Sequence, residues 1–169
     1  MEADSAEEAI REVIQYLDNL NITYTLHHHP PVYTVAEAEK FWKNIPGAHC
    51  KNLFLRNKKG NRHYLVIALG QRRVDLKKLT RRLGEDRLSF ASPKRLQRFL
   101  GLSPGAVSPF GLLHDQAHEV RVVVDEGLKE AEYLSFHPNV NTATLTLTRS
   151  DFEKFLNHLH YPLNYISLE

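Results

Sequence analysis

Residues 50–69 read CKNLFLRNKKGNRHYLVIAL, and this stretch predicts a β-hairpin. Two segments rich in apolar residues, Cys50 to Arg56 and His63 to Leu69, have the length of β-strands. Residues 57–61, which lie between them, are polar apart from Gly60, a composition typical of a turn. The two strands are therefore expected to pair with each other.

Helix signals flank this hairpin on both sides. A Ser or Thr followed three residues later by Glu can cap the start of a helix, and the pattern occurs as Ser5 with Glu8, Thr34 with Glu37, and Ser150 with Glu153. Two further helix starts are indicated by Asp75 and by Ser92 before Pro93, and Gly84 and Gly101 end those helices. We expect five helices, the first over residues 6–20.

Further strands follow from alternating or apolar patterns over residues 23–28, 120–124, 133–136 and 142–148. Residues 102–111, rich in Gly, Pro and Ser, predict a loop. Strands and short helices interleave without the strict alternation of a doubly wound fold. The chain is therefore predicted to form one mixed α/β (α+β) domain over residues 1–169, with a twisted, largely antiparallel sheet and short helices around it.

The composition is that of a globular protein. Hydrophobic residues make up 42% and charged residues 25%, which excludes disorder, collagen and a coiled coil as the main structure. Apolar runs such as residues 65–69 are too short to span a membrane. Cys50 is the only cysteine, so no disulfide forms within the chain, and no signal peptide is evident. A cytoplasmic protein that does not contact a membrane is expected.

The charge pattern leaves two interpretations open. The 22 basic and 20 acidic side chains nearly cancel, but basic residues concentrate in residues 72–98. Such a stretch can face a polyanion, or it can be an ordinary solvated helix face. Composition alone favours the solvated face.

Several polar groups are candidates for chemistry. Neighbouring histidines on a strand point to opposite faces, so the run His27, His28 and His29 is not expected to hold one metal ion. Cys50 is interpreted as a small buried residue rather than a nucleophile. Lys51 begins an otherwise apolar strand, where its charge can face a cleft or simply be solvated.

Two loops complete the set of candidates. Glycine and proline in residues 105–111 allow backbone N–H groups to be aimed at an anion or a carbonyl, although an ordinary turn has the same composition. His137, fixed before a proline and followed by Asn141 and Thr142, can line a small polar pocket or be structural.

Four segments, in this order, resemble the YbaK/prolyl-tRNA editing-domain family, and most closely its free-standing, ProX-type branch. They are HPPVYTVAEA at residues 29–38, KNLFL at 51–55, GAVSPFG at 105–111, and FHP at 136–138 with NTAT at 141–144. The resemblance extends over about residues 10–159. It implies a barrel-like mixed sheet and hydrolysis of the ester that joins alanine to mischarged proline tRNA, without a cofactor or metal. It also implies substrate assistance, in which the ribose hydroxyl of the terminal adenosine helps to activate the water.

The resemblance also assigns residues. Lys51 and Gly105 match catalytic positions, and only His29 of the three histidines aligns, with a positional role. The substrate-binding candidates are Asn52, Ala106, Val107, Ser108, Pro109, His137, Asn141 and Thr142. The candidates for contact with the tRNA acceptor stem, through phosphate groups, are Arg81, Arg82, Lys94 and Arg95.

Some alternatives remain open at this point. Prolyl-tRNA synthetase is a candidate partner alongside tRNA and its aminoacylated 3′ end. The second hypothesis is a binding module of the same fold that hydrolyses nothing. The third is a deacylase for tRNA mischarged with Cys, Ser or Thr. His137 is interpreted as a pocket wall, with general base as the alternative.

Overall fold

The computed structural model describes residues 2–169, which contain five α-helices, eight strands and two 3₁₀ helices. The α-helices are α1 (Glu2–Asn19), α2 (Val35–Trp42), α3 (Leu76–Leu83), α4 (Pro93–Leu100) and α5 (Arg149–His158). The strands are β1 (Thr25–His28), β2 (Ala48–Asn57), β3 (His63–Leu69), β4 (Leu88–Phe90), β5 (Val120–Asp125), β6 (Tyr133–Phe136), β7 (Ala143–Thr148) and β8 (Tyr165–Ile166). The 3₁₀ helices are Pro109–His114 and Glu126–Glu130. None of the helices in this part of the chain is both long and apolar enough to cross a bilayer.

The strands form one mixed sheet in the order β1-β7-β6-β2-β3-β5-β8, with β4 also paired to β2. Four of these pairings are antiparallel and three, β2–β6, β3–β5 and β5–β8, are parallel. The predicted mixed α/β class is confirmed. The sheet does not close into a complete barrel, because β1 and β8 lie at opposite ends of the strand order and are not paired in residues 2–169.

The predicted hairpin is present. Strands β2 and β3 pair antiparallel from Cys50 with Leu69 to Arg56 with His63. The buried side chain of Asn57 closes the turn, since its Oδ1 accepts from the backbone N–H groups of residues 61 and 62 at 3.0 Å. This amide therefore satisfies donors that the short connection would otherwise leave unpaired.

Two hydrophobic clusters cover the two faces of the hairpin. Phe54, Leu65 and Ile67 contribute to the larger cluster, while Leu55 and Val66 contribute to the smaller one. Alternation along a strand places neighbouring side chains on opposite faces, so burial on both sides accounts for the nearly continuous apolar run of β3.

Three of the predicted helix starts are confirmed. Thr34 caps α2 by accepting the backbone N–H of Glu37 at 3.1 Å, and Ser92 caps α4 in the same way. Asp75 accepts two backbone N–H groups at the start of α3. Each cap supplies an acceptor for N–H groups that have no partner within the helix.

Two predicted caps are wrong. Helix α1 begins at Glu2, so Ser5 lies inside it rather than at its start. Helix α5 is capped by Thr148, whose hydroxyl accepts the N–H of Asp151 at 3.0 Å, and Ser150 lies within the helix. Thr148 stands at the end of β7, where its extended backbone suits the capping position.

The short elements were not predicted. Strands β4 and β8 have three and two residues, too few to show a period in the sequence. The predicted loop over residues 102–111 ends in the 3₁₀ helix Pro109–His114. These elements depend on pairing and packing with distant parts of the chain rather than on local pattern.

His63 is the most perturbed buried histidine in the fold. Its ring is 3% exposed, lies 4.0 Å from the Phe99 ring centroid, and accepts a hydrogen bond from the Arg95 guanidinium at 3.0 Å. Burial, followed by the positive charges of Arg95, Arg56 and Arg98, lowers the pKa of His63 to about 4. The ring is therefore neutral in the folded protein.

We predict that His63 makes stability depend on pH. Its folded-state pKa lies below its ordinary value of 6.5, so its contribution is present above pH 6.5 and is lost as pH falls toward 4. The expected loss in the free energy of unfolding is about 1–3 kcal/mol. Urea unfolding at several pH values, compared with His63→Gln, measures it, because glutamine keeps an acceptor and does not titrate. Equal pH dependence in both proteins contradicts the prediction.

Candidate active site

A cavity of about 170 Å³ opens where the beginning of β2 meets two loops and helix α2. Its walls combine polar groups with apolar side chains. The lining residues are Val32, Tyr33, Thr34, Ala38, Trp42, Cys50, Lys51, Asn52, Gly105, Val107 and His137. Residues far apart in the sequence thus meet at one small site.

Half of the ten residues predicted to act on the ester or bind the substrate lie in this lining. They are Lys51, Asn52, Gly105, Val107 and His137. The remaining five do not belong to it: Ala106, Ser108, Pro109, Asn141 and Thr142. Hydrogen bonds and packing join these five residues to the segments that carry the lining residues.

Lys51 supplies the positive charge of the cavity. Its side chain is half-buried, and burial lowers the pKa of its ammonium group. Among the side chains that the structure describes, those of residues 5–34 and 36–169, it forms no ion pair and no hydrogen bond. A partly desolvated charge without a protein partner interacts strongly with an anionic or polarised ligand.

The loop before the first 3₁₀ helix presents backbone donors. The N–H of Ala106 bonds to the carbonyl of Ser103 at 3.1 Å, with Pro104 and Gly105 between them. Gly105 has φ +89°, the left-handed value that a type II turn requires at this position and that glycine adopts without strain. The N–H groups of Gly105, Val107 and Ser108 have no hydrogen-bond partner in the described part of the chain. Gly105 and Val107 line the cavity, so their N–H groups are candidates to bind a ligand carbonyl, whereas Ser108 is fully buried.

Ser108 and Pro109 hold this loop rather than line the cavity. The Ser108 side chain is fully buried, and its hydroxyl accepts the backbone N–H of Phe110 at 3.1 Å. Pro109 is the first residue of the 3₁₀ helix and is also buried. Both residues therefore cap and brace the loop, and their contact with substrate stays a prediction.

His137 contributes a neutral imidazole. Its Nδ1 lies 2.9 Å from the carbonyl oxygen of Ala143, which can only accept, so Nδ1 carries the proton and Nε2 is the free acceptor. Burial lowers the pKa of the ring. His29 lies beside it, stacked on Phe41 and bonded through Nε2 to the Thr144 hydroxyl at 2.8 Å.

Asn141 and Thr142 connect the β6–β7 loop to the segment before α2. The Asn141 amide donates to the Val32 carbonyl at 3.3 Å, and the Val32 N–H bonds to the Asn141 carbonyl at 3.3 Å. The His29 N–H bonds to the Thr142 carbonyl at 2.9 Å. These bonds position residues 29–32, so neither residue forms the pocket wall that the sequence led us to expect.

Neither Cys50 nor the run His27, His28 and His29 is placed to act as a nucleophile or to hold a metal ion. The Cys50 thiol is buried, and burial raises its pKa, so it stays protonated and unreactive. His27 lines a separate groove beside β7, whereas His29 contacts Thr144. In residues 2–169 no three His, Cys, Asp or Glu side chains are placed to hold a metal ion.

Sequence reasoning missed the part that α2 plays. Ala38 and Trp42 line the cavity from this helix, and Tyr33 does so from the residue before its cap. The Trp42 ring stacks on His49 at 4.5 Å, which fixes it against the start of β2. The quoted segment HPPVYTVAEA already contained Tyr33 and Ala38, but nothing local showed that the helix folds over β2.

The four predicted tRNA-contacting residues do not share one face. Arg81 and Arg82 are exposed on α3, which packs on the smaller hydrophobic cluster. Lys94 is exposed on α4, which packs on the larger cluster across the sheet. Arg95 is occupied within the protein, since its guanidinium donates to the Gly60 carbonyl and to His63 at 3.0 Å.

A small cavity with an ammonium group and unpaired backbone N–H groups is a site for a ligand that bears a carbonyl or negative charge. The aminoacyl-tRNA editing domain model matches residues 29–155, about three quarters of the chain. The chain belongs to this family.

Individual relatives agree with the family match. The prolyl-tRNA editing protein ProX of Acetoanaerobium sticklandii is 48% identical over 149 residues, which cover 88% of this chain and 91% of that protein. Prolyl-tRNA synthetase associated domain-containing protein 1 of Xenopus laevis is 36% identical over 150 residues, which cover 86% and 89% of the two chains. A crystal structure of a candidate trans-editing enzyme for prolyl tRNA synthetase has a TM-score of 0.72 at 21% identity, with 97% and 96% covered. That structure shows the same fold.

We predict that His137 is neutral with its proton on Nδ1 throughout the physiological pH range. Burial opposes the charged ring, and the Ala143 carbonyl fixes the tautomer. Nitrogen-15 NMR of the imidazole, assigned by loss of the signals in His137→Gln, measures both properties. A ring that titrates at or above pH 6.5, or a proton on Nε2, contradicts this assignment.

Proposed function

We propose that the protein hydrolyses the ester bond of mischarged proline tRNA, with alanyl-tRNA as the preferred substrate. The observation that carries the proposal is that Lys51 and the unpaired N–H groups of Gly105 and Val107 belong to residues lining one cavity. The family and the ProX relative support the same reaction class. A site that only bound tRNA would not need a partly desolvated ammonium and free backbone donors at the same cavity.

The proposed reaction is attack of water on the ester carbonyl. The water oxygen bonds to the carbonyl carbon, the bond to the ribose oxygen breaks, and a proton passes to that oxygen. Negative charge develops on the carbonyl oxygen, where the N–H groups of Gly105 or Val107 stabilise it without reorganising. We propose that Lys51 holds the ester or the neighbouring terminal phosphate by its charge, and that Asn52 offers an amide beside it.

The chain presents no activated protein nucleophile in this cavity. The Cys50 thiol is buried and protonated, and no paired carboxylates line the walls. The water is therefore proposed to be activated by the free ribose hydroxyl of the substrate, as the family resemblance implies. Ester hydrolysis by water consumes no cofactor.

Selectivity is proposed to follow from size. A wall made by His137, Ala38 and Trp42 leaves room for a small side chain, and a bulkier one displaces the ester from the donors. An added hydroxyl is rejected only weakly by a pocket of this kind, by about 10² at most. Alanyl-tRNA should therefore react best, seryl-tRNA more slowly and prolyl-tRNA hardly at all.

The tRNA body is proposed to lie along the α3 face. Lys51 and Leu55 are on the same face of β2 by alternation, and α3 packs there through Leu79. Strand β4, which follows α3, pairs with residues 55–57, about 13–20 Å from Lys51 along the strand. Arg81 and Arg82 at the end of α3 can therefore contact phosphates away from the 3′ terminus. The name of the Xenopus relative also makes prolyl-tRNA synthetase a candidate partner.

We predict that Lys51→Met lowers the rate of alanine release from alanyl-tRNA of the proline isoacceptor by roughly 10²–10³. Methionine retains the apolar stem and removes the charge, so the fold should persist. The measurement follows released alanine under single-turnover conditions, with prolyl-tRNA as the second substrate.

Lys43→Met, which removes an exposed lysine beyond the end of α2, is the matched control and should retain the wild-type rate. Circular dichroism checks the fold of both variants. A wild-type protein that binds the tRNA but releases no alanine would favour the binding-module hypothesis. Wild-type turnover by folded Lys51→Met would remove the role proposed for this lysine.

We predict that the double variant Arg81→Gln, Arg82→Gln weakens tRNA binding and flattens its salt dependence. Each lost phosphate contact should reduce the slope of log K against log[salt] by about one. Lys94→Gln, on the opposite sheet face, is the comparison and should change the slope less. Unchanged slopes in the double variant would show that α3 is an ordinary solvated helix.

A further inference from the structure

Tyr33 is the most exposed large hydrophobic side chain in the described part of the chain, at 70%. It also lines the mouth of the cavity. The two aromatic rings of helix α2 are already stacked within the protein, Trp42 on His49 and Phe41 on His29. An exposed, unstacked ring at the edge of a polar cavity is a surface for a flat ligand.

The backbone that carries Tyr33 is firmly positioned. Val32 is 3% exposed and exchanges two hydrogen bonds with Asn141. The Tyr33 N–H bonds to the Glu37 carboxylate at 3.3 Å, and Thr34 caps α2 immediately after it. The exposure of the ring is therefore a property of an ordered segment, so little entropy is lost when a ligand stacks on it.

One side of the Tyr33 ring lies against Gly105. A Cβ placed on Gly105 would be 3.3 Å from Tyr33 Cδ1, closer than usual van der Waals contact. The missing side chain thus lets the ring lie directly beside the loop that offers the N–H donors. If the carbonyl of a ligand accepts hydrogen bonds from those N–H groups, a flat group next to that carbonyl would be within reach of the Tyr33 ring.

We propose that Tyr33 is the platform on which the terminal adenine of the tRNA stacks. This proposal rests on the proposed function, because it assumes that an aminoacyl ester lies in the cavity with its ribose at the mouth. Bases stack readily on exposed aromatic rings, and such stacking adds affinity without reading the base sequence. Tyr33 would then position the ester for hydrolysis, while the phosphate contacts of α3 hold the stem.

The test uses two non-hydrolysable probes that differ only in the base. One is 3′-alanylamido-3′-deoxyadenosine, and the other is the same alanylamido ribose without adenine. Titration calorimetry or NMR measures the dissociation constants for wild type, Tyr33→Ala and Tyr33→Phe. Tyr33→Ala should weaken binding of the adenosine probe by roughly 5- to 100-fold. Tyr33→Phe should bind it as the wild type does.

The probe without adenine separates the contribution of base stacking to binding from that of the other contacts. Wild type and Tyr33→Ala should bind it equally, because neither can stack on a missing base. Phe90→Ala, which removes a ring that is 62% exposed on β4, is the matched control and should bind both probes normally. Melting temperatures check that the variants are folded.

Two results overturn the proposal while leaving the proposed function in place. One is equal binding of the adenosine probe by wild type and Tyr33→Ala, and the other is an equal loss for both probes in Tyr33→Ala. A wild-type protein that binds neither probe and releases no alanine from alanyl-tRNA contradicts the proposed function itself, and the platform with it.

Discussion

The site depends on the pairing of β2 with three other strands. Antiparallel β3 and β4 and parallel β6 all hydrogen-bond to β2, so its position is fixed along nearly its whole length. Lys51 lies in this strand, opposite Ala68, between the pairing with β6 and the apolar centre of the hairpin. The constrained backbone keeps the Lys51 ammonium within the reach of its side chain beside the cavity, where a positive charge can stabilise a reacting ester. The loops meet around this constrained strand.

The loops are organised by hydrogen bonds between segments that are distant in the chain. Asn141 and Val32 are 109 residues apart in sequence, and their two hydrogen bonds bring the segment before α2 onto the β6–β7 loop. The loop of residues 105–108 is held by a local bond instead, since the Ser108 hydroxyl accepts the N–H of Phe110 two residues further on. Polar residues near the cavity thus divide into those that face it and those that hold the facing residues in place. This division accounts for the small number of side chains that reach the cavity.

Local physical chemistry made part of this structure predictable. The hairpin and the caps at Thr34, Asp75 and Ser92 follow from patterns within a few residues, and they are present. The resemblance identified segments that meet at the cavity, but it could not separate Asn141, which holds Val32, from His137, which faces the cavity. That distinction depends on contacts between distant segments. For the same reason, the basic residues of the stretch 72–98 lie on both faces of the sheet, although they are continuous in sequence. Arg95 forms a hydrogen bond within the protein.

The proposed reaction requires the aminoacyl carbonyl to lie between Lys51 and the loop of residues 105–108. A crystal structure of the protein with 3′-alanylamido-3′-deoxyadenosine tests it most directly. We expect the alanyl carbonyl oxygen about 3 Å from the backbone nitrogen of Gly105 or Val107, with the Lys51 ammonium on the same side of the ligand. A probe bound outside the cavity, or bound inside it with its carbonyl turned away from Gly105 and Val107, would contradict this arrangement.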